Sequence, residues 1–485
     1  MNKGALHAPY EKRNAMFLSR RDMLQKAGAG FGMLGLAGAL QTAGRLSVAG
    51  EAGSTGALPG GVPHFPAKAK RVVFLFMNGA PSHVDTLDPK PALKKFAGEQ
   101  PSGKLYKPSN GAGYMPSPFH FRPYGESGVE LSELLPNLGR HADDLCVLRS
   151  MHTNVPNHEP GLLMMNCGNL QPIRPSLGSW AAYGLGSENQ NLPSFVTLSP
   201  GLPVVGPQLW SNSFLPGEYQ GTAIDTNDMA VDKLVANLKH PSLSRSEQRK
   251  QLDVLLALNR RHMEQRQNDP LLDSQIRAME LAFDMQREAS EVFDISGEPE
   301  HVQATYGESV FGRSCLLARR LLENDVRFVQ VYYVTKSGKQ PWDTHAKNNE
   351  KHRELCADSD KASAALISDL KERGLLDDTL VVWGGEFGRT PYAQDKKNFD
   401  TAGRDHHHTG FSMFMAGGGV KGGMMYGATD EFGMRAVENR IHVHDLHATI
   451  LHLMGIDHER LTYRYSGRDF RLTDIHGNVV RDILA

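Results

Sequence analysis

The sequence has almost no net charge, few cysteines and no long apolar run, and each shortage argues against a class of protein. Its 53 basic and 54 acidic residues give a net charge of -1, which speaks against a nucleic-acid surface or a polybasic membrane patch. The four cysteines are scattered and form no Cys-x-x-Cys pair, so they do not predict a disulfide framework. No apolar stretch reaches the roughly 20 residues of a permanent membrane span.

The N-terminal segment has the pattern of an export signal. Arg20 and Arg21 precede a modestly apolar stretch at 27–40, and small residues follow at Ala43, Ala49 and Ala52. Paired arginines in this position indicate the twin-arginine route, which exports folded chains. We therefore expect a signal peptide at 1–52, a flexible tether at 53–69 and a mature domain at 70–485. The predicted location is periplasmic or secreted, with the twin-arginine export machinery as a partner.

Strand and helix patterns alternate through the mature chain. Continuous apolar runs predict buried strands at 72–77, 326–334, 379–383 and 411–416. Helical spacing of apolar residues appears at 312–324, 357–373 and 446–454, the last with Asp445 as N-cap. This alternation predicts an α/β fold with an open, mostly parallel sheet and helices on both faces. The charged segment 244–293 predicts an inserted helical hairpin, with its second helix starting at Asp269 and Pro270.

Polar residues cluster where the predicted strands end, which is where open parallel sheets bind ligands. Singly, each of these residues has an ordinary structural explanation, such as a turn, a cap or a solvated surface. Together they favour a site for a divalent metal (zinc, manganese or calcium), which would polarise an ester oxygen. The candidate ligands are Asp343, His345, Glu386 and His406. Arg389 adds a candidate contact for an anion.

Several segments resemble the alkaline phosphatase and sulfatase superfamily, namely residues 72–79, 377–388 and 445–456. A closer resemblance is to a secreted, sulfatase-like family of unknown function, number fifteen-oh-one. It rests on residues 79–91, 157–160, 342–345, 385–391, 418–431 and 457–463, and it covers essentially the whole mature chain. The resemblance implies an alkaline-phosphatase-like fold and says little about activity.

The sequence departs from the superfamily pattern at three places. Asn78 stands where a metal-binding aspartate is usual, and Phe387 stands where a second ligand would follow the acid. Residues 157–160 contain no cysteine, serine or threonine, so formylglycine chemistry is excluded. The resemblance therefore leaves substitutes open. Additional ligands could come from His83, Asp85 or His158, and a hydroxyl nucleophile from Ser82 or Thr153. His158 could instead be a general acid, and Asn157 would border the reacting group.

Two functions follow from this pattern. The first is an exported, metal-dependent hydrolase of sulfate or phosphate esters, with a small-molecule or glycan ester as substrate. The second is a non-catalytic module of the same fold that binds an anionic glycan or a cell-surface partner. The absent nucleophile and Phe387 motivate the second, and the ligand set motivates the first.

Overall fold

The computed structural model describes residues 61–101, 112–189, 191–234, 243–265, 291–394 and 398–485, with isolated positions between 276 and 283. The expected signal peptide and residues 53–60 of the expected tether lie outside the described residues. The predicted start of the second insertion helix, at Asp269 and Pro270, also lies outside them. The first part of that insertion is the helix α6 (Arg245–Gln265).

The centre of the main sheet is β1 (Arg71–Phe76), all of whose residues are buried. It pairs in parallel with β7 (Phe328–Tyr332) on one side and with β8 (Thr379–Gly384) on the other. Successive side chains of a strand point to opposite faces, so a strand covered on both faces is apolar throughout. The uninterrupted apolar run at 72–77 is explained by this position.

Nine strands of the described residues form this sheet. Besides β1, β7 and β8, they are β4 (Leu145–His152), β5 (Phe195–Ser199), β6 (Thr222–Asp225), β11 (Phe411–Ala416), β12 (Met424–Tyr426) and β15 (Ile441–His442). Their order is β12-β4-β11-β8-β1-β7-β5-β6, with β15 also paired to β4. Only β11 runs antiparallel to its neighbours, β4 and β8, so the predicted mostly parallel α/β sheet is confirmed.

Short two-stranded sheets surround the main sheet. Their strands are β2 (Phe121–Tyr124) with β3 (Val129–Ser132), β9 (Gly388–Ala393) with β10 (Arg404–His407), β13 (Ala428–Thr429) with β14 (Ala436–Glu438), and β16 (Tyr463–Tyr465) with β17 (Arg468–Phe470). The pair β9–β10 matters most for function, because it follows β8 directly at the edge where the candidate residues gather.

Helices cover both faces of the sheet. The described helices are α1 (His83–Thr86), α2 (Pro91–Lys95), α3 (His158–Cys167), α4 (Leu177–Leu185), α5 (Val231–Leu234), α6, α7 (Glu300–Tyr306), α8 (Val310–Glu323), α9 (Asn348–Glu372) and α10 (Val443–Leu453). Val73 of β1 belongs to a core that includes Leu317 of α8 and Leu366 of α9. Its neighbour Val72 belongs to a second core, which includes Trp180 of α4 and Ile450 of α10.

The predicted helices are confirmed with different bounds. α10 begins three residues before the predicted start, and its N-cap is His442 rather than Asp445. Asp445 instead accepts a hydrogen bond from the backbone N–H of His442, which completes a capping box. Among the described helices, none combines the length and apolar character needed to cross a bilayer.

One edge of the sheet collects the ends of several strands. β1, β4, β7 and β8 run in the same direction, so their carboxyl ends lie at this edge. β11 runs the opposite way, which brings its amino end, and the β10 segment before it, to the same edge. Residues far apart in the sequence therefore meet there.

Candidate metal centre

Four side chains converge at this edge. One possible ligand atom from each of His158, Asp343, His345 and His406 lies within 4.8 Å of all the others, the only such group among the described residues. The Oδ1 atom of Asp343 is 2.8 Å from Nε2 of His345 and 3.2 Å from Nε2 of both His158 and His406. The structure thus brings three predicted ligands together, and His158 joins them as a fourth.

Hydrogen bonds on the outer nitrogens orient two of these rings. Nδ1 of His158 is 2.6 Å from Oε1 of Glu386, and Nδ1 of His345 is 2.5 Å from Oε1 of Gln394. Each of these oxygens is an acceptor, so Nδ1 carries a proton, and Nε2 faces the centre of the cluster, where it can hold a second proton or a metal ion. This is the arrangement that holds histidine ligands on a metal.

The donor set fits a divalent metal. Lone pairs of His158 and His345 turned toward the Asp343 carboxylate repel one another unless a cation or a proton lies between them. The Nε2 atom of His158 is buried without a hydrogen-bond partner. Three imidazoles and one carboxylate suit zinc or manganese, whereas calcium prefers oxygen ligands alone.

The electrostatics of the cluster point the same way. Burial opposes ionisation of Asp343, but its contacts with the three histidines and Arg389 hold the pKa of its carboxyl far below the usual range. Burial likewise lowers the pKa of His158, yet the Asp343 and Glu386 carboxylates outweigh it and raise this pKa to about 9. The carboxylates of the cluster therefore favour positive charge between them, either as a second proton on the His158 ring or as a metal ion in its place.

Glu386 lies just outside the ligand group. Its side chain is fully buried, and Oε1 accepts hydrogen bonds from the His158 ring and from the backbone N–H of Gly79, at 3.1 Å. Gly79 has a φ of +105°, and a Cβ there would lie 2.4 Å from the backbone nitrogen of Asp343. Glu386, predicted as a ligand, is placed to orient one.

Arg389 is also fully buried. Its Nη2 atom donates to Oδ1 of Asp343 at 2.6 Å and to the carbonyl of Gly79. Its other nitrogens donate to the carbonyls of Ala80, at 3.1 Å, and Arg404, at 3.3 Å. This geometry makes Arg389 a support for Asp343, and its predicted contact with a substrate anion is not favoured by so complete a burial.

The residues that follow β1 are not part of the cluster, so their predicted roles are corrected. Oγ of Ser82 donates to Asp85 at 2.6 Å, and Asp85 forms a buried ion pair with Arg404 at 2.7 Å. Nε2 of His83 is 2.9 Å from the carbonyl of Gly433. All three side chains are buried, because Ser82 is the N-cap of the short helix α1 and the four residues of that helix, which include His83 and Asp85, are buried.

Two features near the cluster were missed or misread in the sequence. Phe387 is buried and packs against two histidines of the cluster, since its ring centroid is 5.0 Å from that of His158 and 5.2 Å from that of His406. Gln394, which orients His345, lies in no recognisable motif, and no sequence signal marks it.

The exposed Asn157 is the N-cap of α3, and its side chain makes no capping hydrogen bond. The Oγ1 atom of Thr153 is buried without a partner.

Comparison with solved structures gives distant likenesses. The lipoteichoic acid synthase LtaP from Listeria monocytogenes matches with a TM-score of 0.36 and 9% identity, over 84% of this chain and 76% of that one. The PsFucS1 sulfatase from Pseudoalteromonas sp. matches with a TM-score of 0.34 and 12% identity, over 91% and 73%. The phosphonate monoester hydrolase SpPMH from Silicibacter pomeroyi matches with a TM-score of 0.33 and 13% identity, over 72% and 71%.

Scores and identities this low carry nothing about the activity of this chain. A comparison with curated proteins gives no match. Residues 69–484, which include the whole cluster and every strand of the main sheet, match a family model described as "Protein of unknown function (DUF1501)". The chain belongs to this DUF1501 family.

Proposed function

We propose that this protein is a divalent-metal-dependent hydrolase of sulfate or phosphate esters that works outside the cytoplasm. The observation that carries the proposal is the group of His158, Asp343, His345 and His406, whose ligand atoms share one centre. A metal bound there supplies Lewis acidity toward an ester oxygen. The location is inferred from the twin-arginine pattern.

The openness of the cluster supports a catalytic role over a purely structural one. The side chains of His345 and Asp343 are 34% and 29% exposed, whereas that of His158 is 12% exposed. Structural metal sites are enclosed by their ligands, and catalytic sites keep a position open for substrate. A substrate would therefore approach from the side of His345 and Asp343.

The first turn of α3 adds a site for negative charge. α3 begins at His158 and extends for 10 residues, so its positive N-terminal end lies at the cluster. Backbone N–H groups at a helix N-terminus bind phosphate and similar anions. Asn157, the exposed residue that precedes them, is the side chain that we expect to contact the ester group beside the metal.

The test is turnover of small esters. Purified protein loaded with Zn²⁺ or Mn²⁺ is assayed on aryl sulfates, aryl phosphates and aryl phosphodiesters. We expect turnover of one class, and we expect Asp343→Asn to lower kcat/KM by more than about 100-fold, since even residues behind metal ligands change activity by about 10- to 100-fold. The matched control is Asp253→Asn on α6, which should leave kcat/KM unchanged.

Absence of turnover on every ester with folded, metal-loaded protein would overturn the proposal. Tight binding of a sulfated or phosphorylated glycan under those conditions would establish the alternative, a non-catalytic binding module.

A further inference from the structure

We infer that the buried ion pair of Asp85 and Arg404 is the positioning device of the metal centre, and that it sets the affinity for the metal. The inference rests on the proposed metal site but concerns residues that do not touch it. Both side chains are fully buried. Nε of Arg404 donates to Oδ2 of Asp85 at 2.7 Å, and Nη2 donates to Oδ1 at 3.1 Å. The pair is therefore bidentate.

Further donors keep Asp85 charged and fixed. Its Oδ2 atom accepts hydrogen bonds from Oγ of Ser82, at 2.6 Å, and from Nδ2 of Asn348, at 2.9 Å. Burial opposes ionisation, but Arg404 outweighs it and holds the pKa of Asp85 below the usual range. A buried charge with this many partners has one arrangement rather than several, because any other would leave a partner unpaired.

Arg404 connects the pair to the segment that carries Asp343 and His345. Its backbone N–H donates to the carbonyl of Thr344, the residue between these two ligands, at 3.1 Å. Its carbonyl accepts from Nη1 of Arg389 at 3.3 Å, and Arg389 in turn donates to Asp343. Movement of Arg404 would therefore displace both ligands.

Asn348 provides a second connection to the same segment. It donates to Asp85 and accepts, through Oδ1, from Oγ1 of Thr344 at 2.9 Å. Thr344 and Asn348 are fully buried. The side chain and the carbonyl of Thr344 are thus both held by groups that depend on Asp85.

The same pair also fixes the strand that carries His406. Arg404 lies two residues before His406 in β10, and the pairing of β10 with β9 shifts register between these two positions. Nη1 of Arg404 donates to the carbonyl of Thr390 on β9, at 3.2 Å. An irregularity of this kind changes the direction in which a side chain points. Arg404 contacts both strands at the irregularity and fixes their pairing there. Three of the four cluster residues therefore depend on one ion pair.

The experiment measures metal affinity rather than activity. Asp85→Asn keeps the shape of the side chain and removes its charge. Glu298→Gln is the matched control, since Glu298 is likewise buried and pairs with Arg319 and Arg320 of α8. The dissociation constant for Zn²⁺ is measured on each folded protein by competition with a chelator, and the Tm of the metal-free protein is measured alongside.

We expect both variants to lower Tm, but only Asp85→Asn to weaken Zn²⁺ binding, by about 10- to 100-fold, the range typical of residues behind metal ligands. Equal Zn²⁺ affinity of Asp85→Asn and wild type would overturn the inference while leaving the metal site intact. Wild type that binds no Zn²⁺ or Mn²⁺ would overturn the proposed function and this inference together. Should Asp85→Asn not fold, Ser82→Ala, which removes one donor to Asp85, must weaken binding in the same direction.

Discussion

At the scale of single residues, the central feature is the Oδ1 atom of Asp343. It faces three imidazole nitrogens and also accepts from Arg389. One carboxylate oxygen cannot accept from four donors in good geometry, and His158 and His345, whose Nδ1 atoms already carry protons, would each need a second ring proton to donate to it. A metal ion at this point resolves the conflict, because it is the shared partner of nitrogen and oxygen donors.

Glu386→Gln tests how the outer hydrogen bonds hold this centre. The carboxylate of Glu386 accepts from Nδ1 of His158 and raises the basicity of the ring, and glutamine keeps the shape without the charge. We expect Zn²⁺ affinity to fall by about 10- to 100-fold, measured by calorimetric titration of the folded protein. Glu350→Gln, an exposed residue of α9 that pairs with Lys347, is the control. An affinity of Glu386→Gln equal to that of the control would contradict this role.

The sequence identified the residues of the cluster better than their supports. Asp343 and His345 were predictable, because polar residues at the carboxyl ends of parallel strands converge. Ser82, His83 and Asp85 satisfied the same criterion and yet turn inward. The end of a predicted strand indicates at which edge of the sheet a residue lies. The direction of its side chain depends on the short helix that follows the strand, and the periodicity of apolar residues does not reveal that helix.

At the scale of secondary-structure elements, the direction of a strand relative to its neighbours in the sheet was the least predictable property. The run at 411–416 matches β11 in its bounds, but nothing in its composition shows that β11 is antiparallel to β4 and β8. That reversal is what puts His406, which precedes the strand, at the same edge as residues that follow other strands. His406 thus joins the cluster through a topology that the sequence did not specify, and its role as a ligand stays a prediction.

The N-terminus of α10 shows a second limit. A histidine N-cap depends on which ring nitrogen carries the proton, and Nδ1 of His442 accepts from the backbone N–H of His444 at 3.1 Å. Sequence rules favour serine, threonine, aspartate and asparagine at this position, and they therefore pointed to Asp445. The helix itself was predictable from its apolar spacing.

α10 also provides a pH-dependent contribution to stability. His447 is fully buried, Nε2–H donates to the carbonyl of Met165 at 2.8 Å, and His444 is its neighbour on the same helix at 6.3 Å between ring centroids. Burial, with a further contribution from His442, lowers its pKa to about 4, against about 6.5 in the unfolded chain. As the pH falls, the unfolded chain therefore binds a proton at His447 before the folded chain does. The contribution of His447 to the free energy of unfolding is fully present above about pH 6.5 and is lost as the pH falls toward the pKa of the folded state.

His447→Gln keeps a donor for Met165 and removes the titration. We expect its Tm to fall less than that of wild type between about pH 7 and about pH 5, measured by circular dichroism. His301→Gln, at an exposed position of α7, should retain the wild-type pH dependence. Parallel pH profiles of wild type and His447→Gln would contradict the assignment.

At the scale of the whole molecule, the proposed metal centre is a product of the complete fold. Its residues come from the segment after β4, the segment after β7 and the strand β10, with support from the residues after β1 and β8. No local piece of the chain contains the site, so the ligands meet only when the sheet has formed. A twin-arginine signal suits such a protein, because this route exports chains that have already folded, and we keep export as a proposal.

The metal content of the purified, folded protein, measured by plasma mass spectrometry, tests the proposed metal centre most directly. We predict about one equivalent of a divalent transition metal per chain in wild type, and loss of most of it in the double variant His345→Ala/His406→Ala. Wild type without stoichiometric metal after loading with Zn²⁺ or Mn²⁺, or an unchanged metal content in the double variant, would contradict a metal site at this cluster.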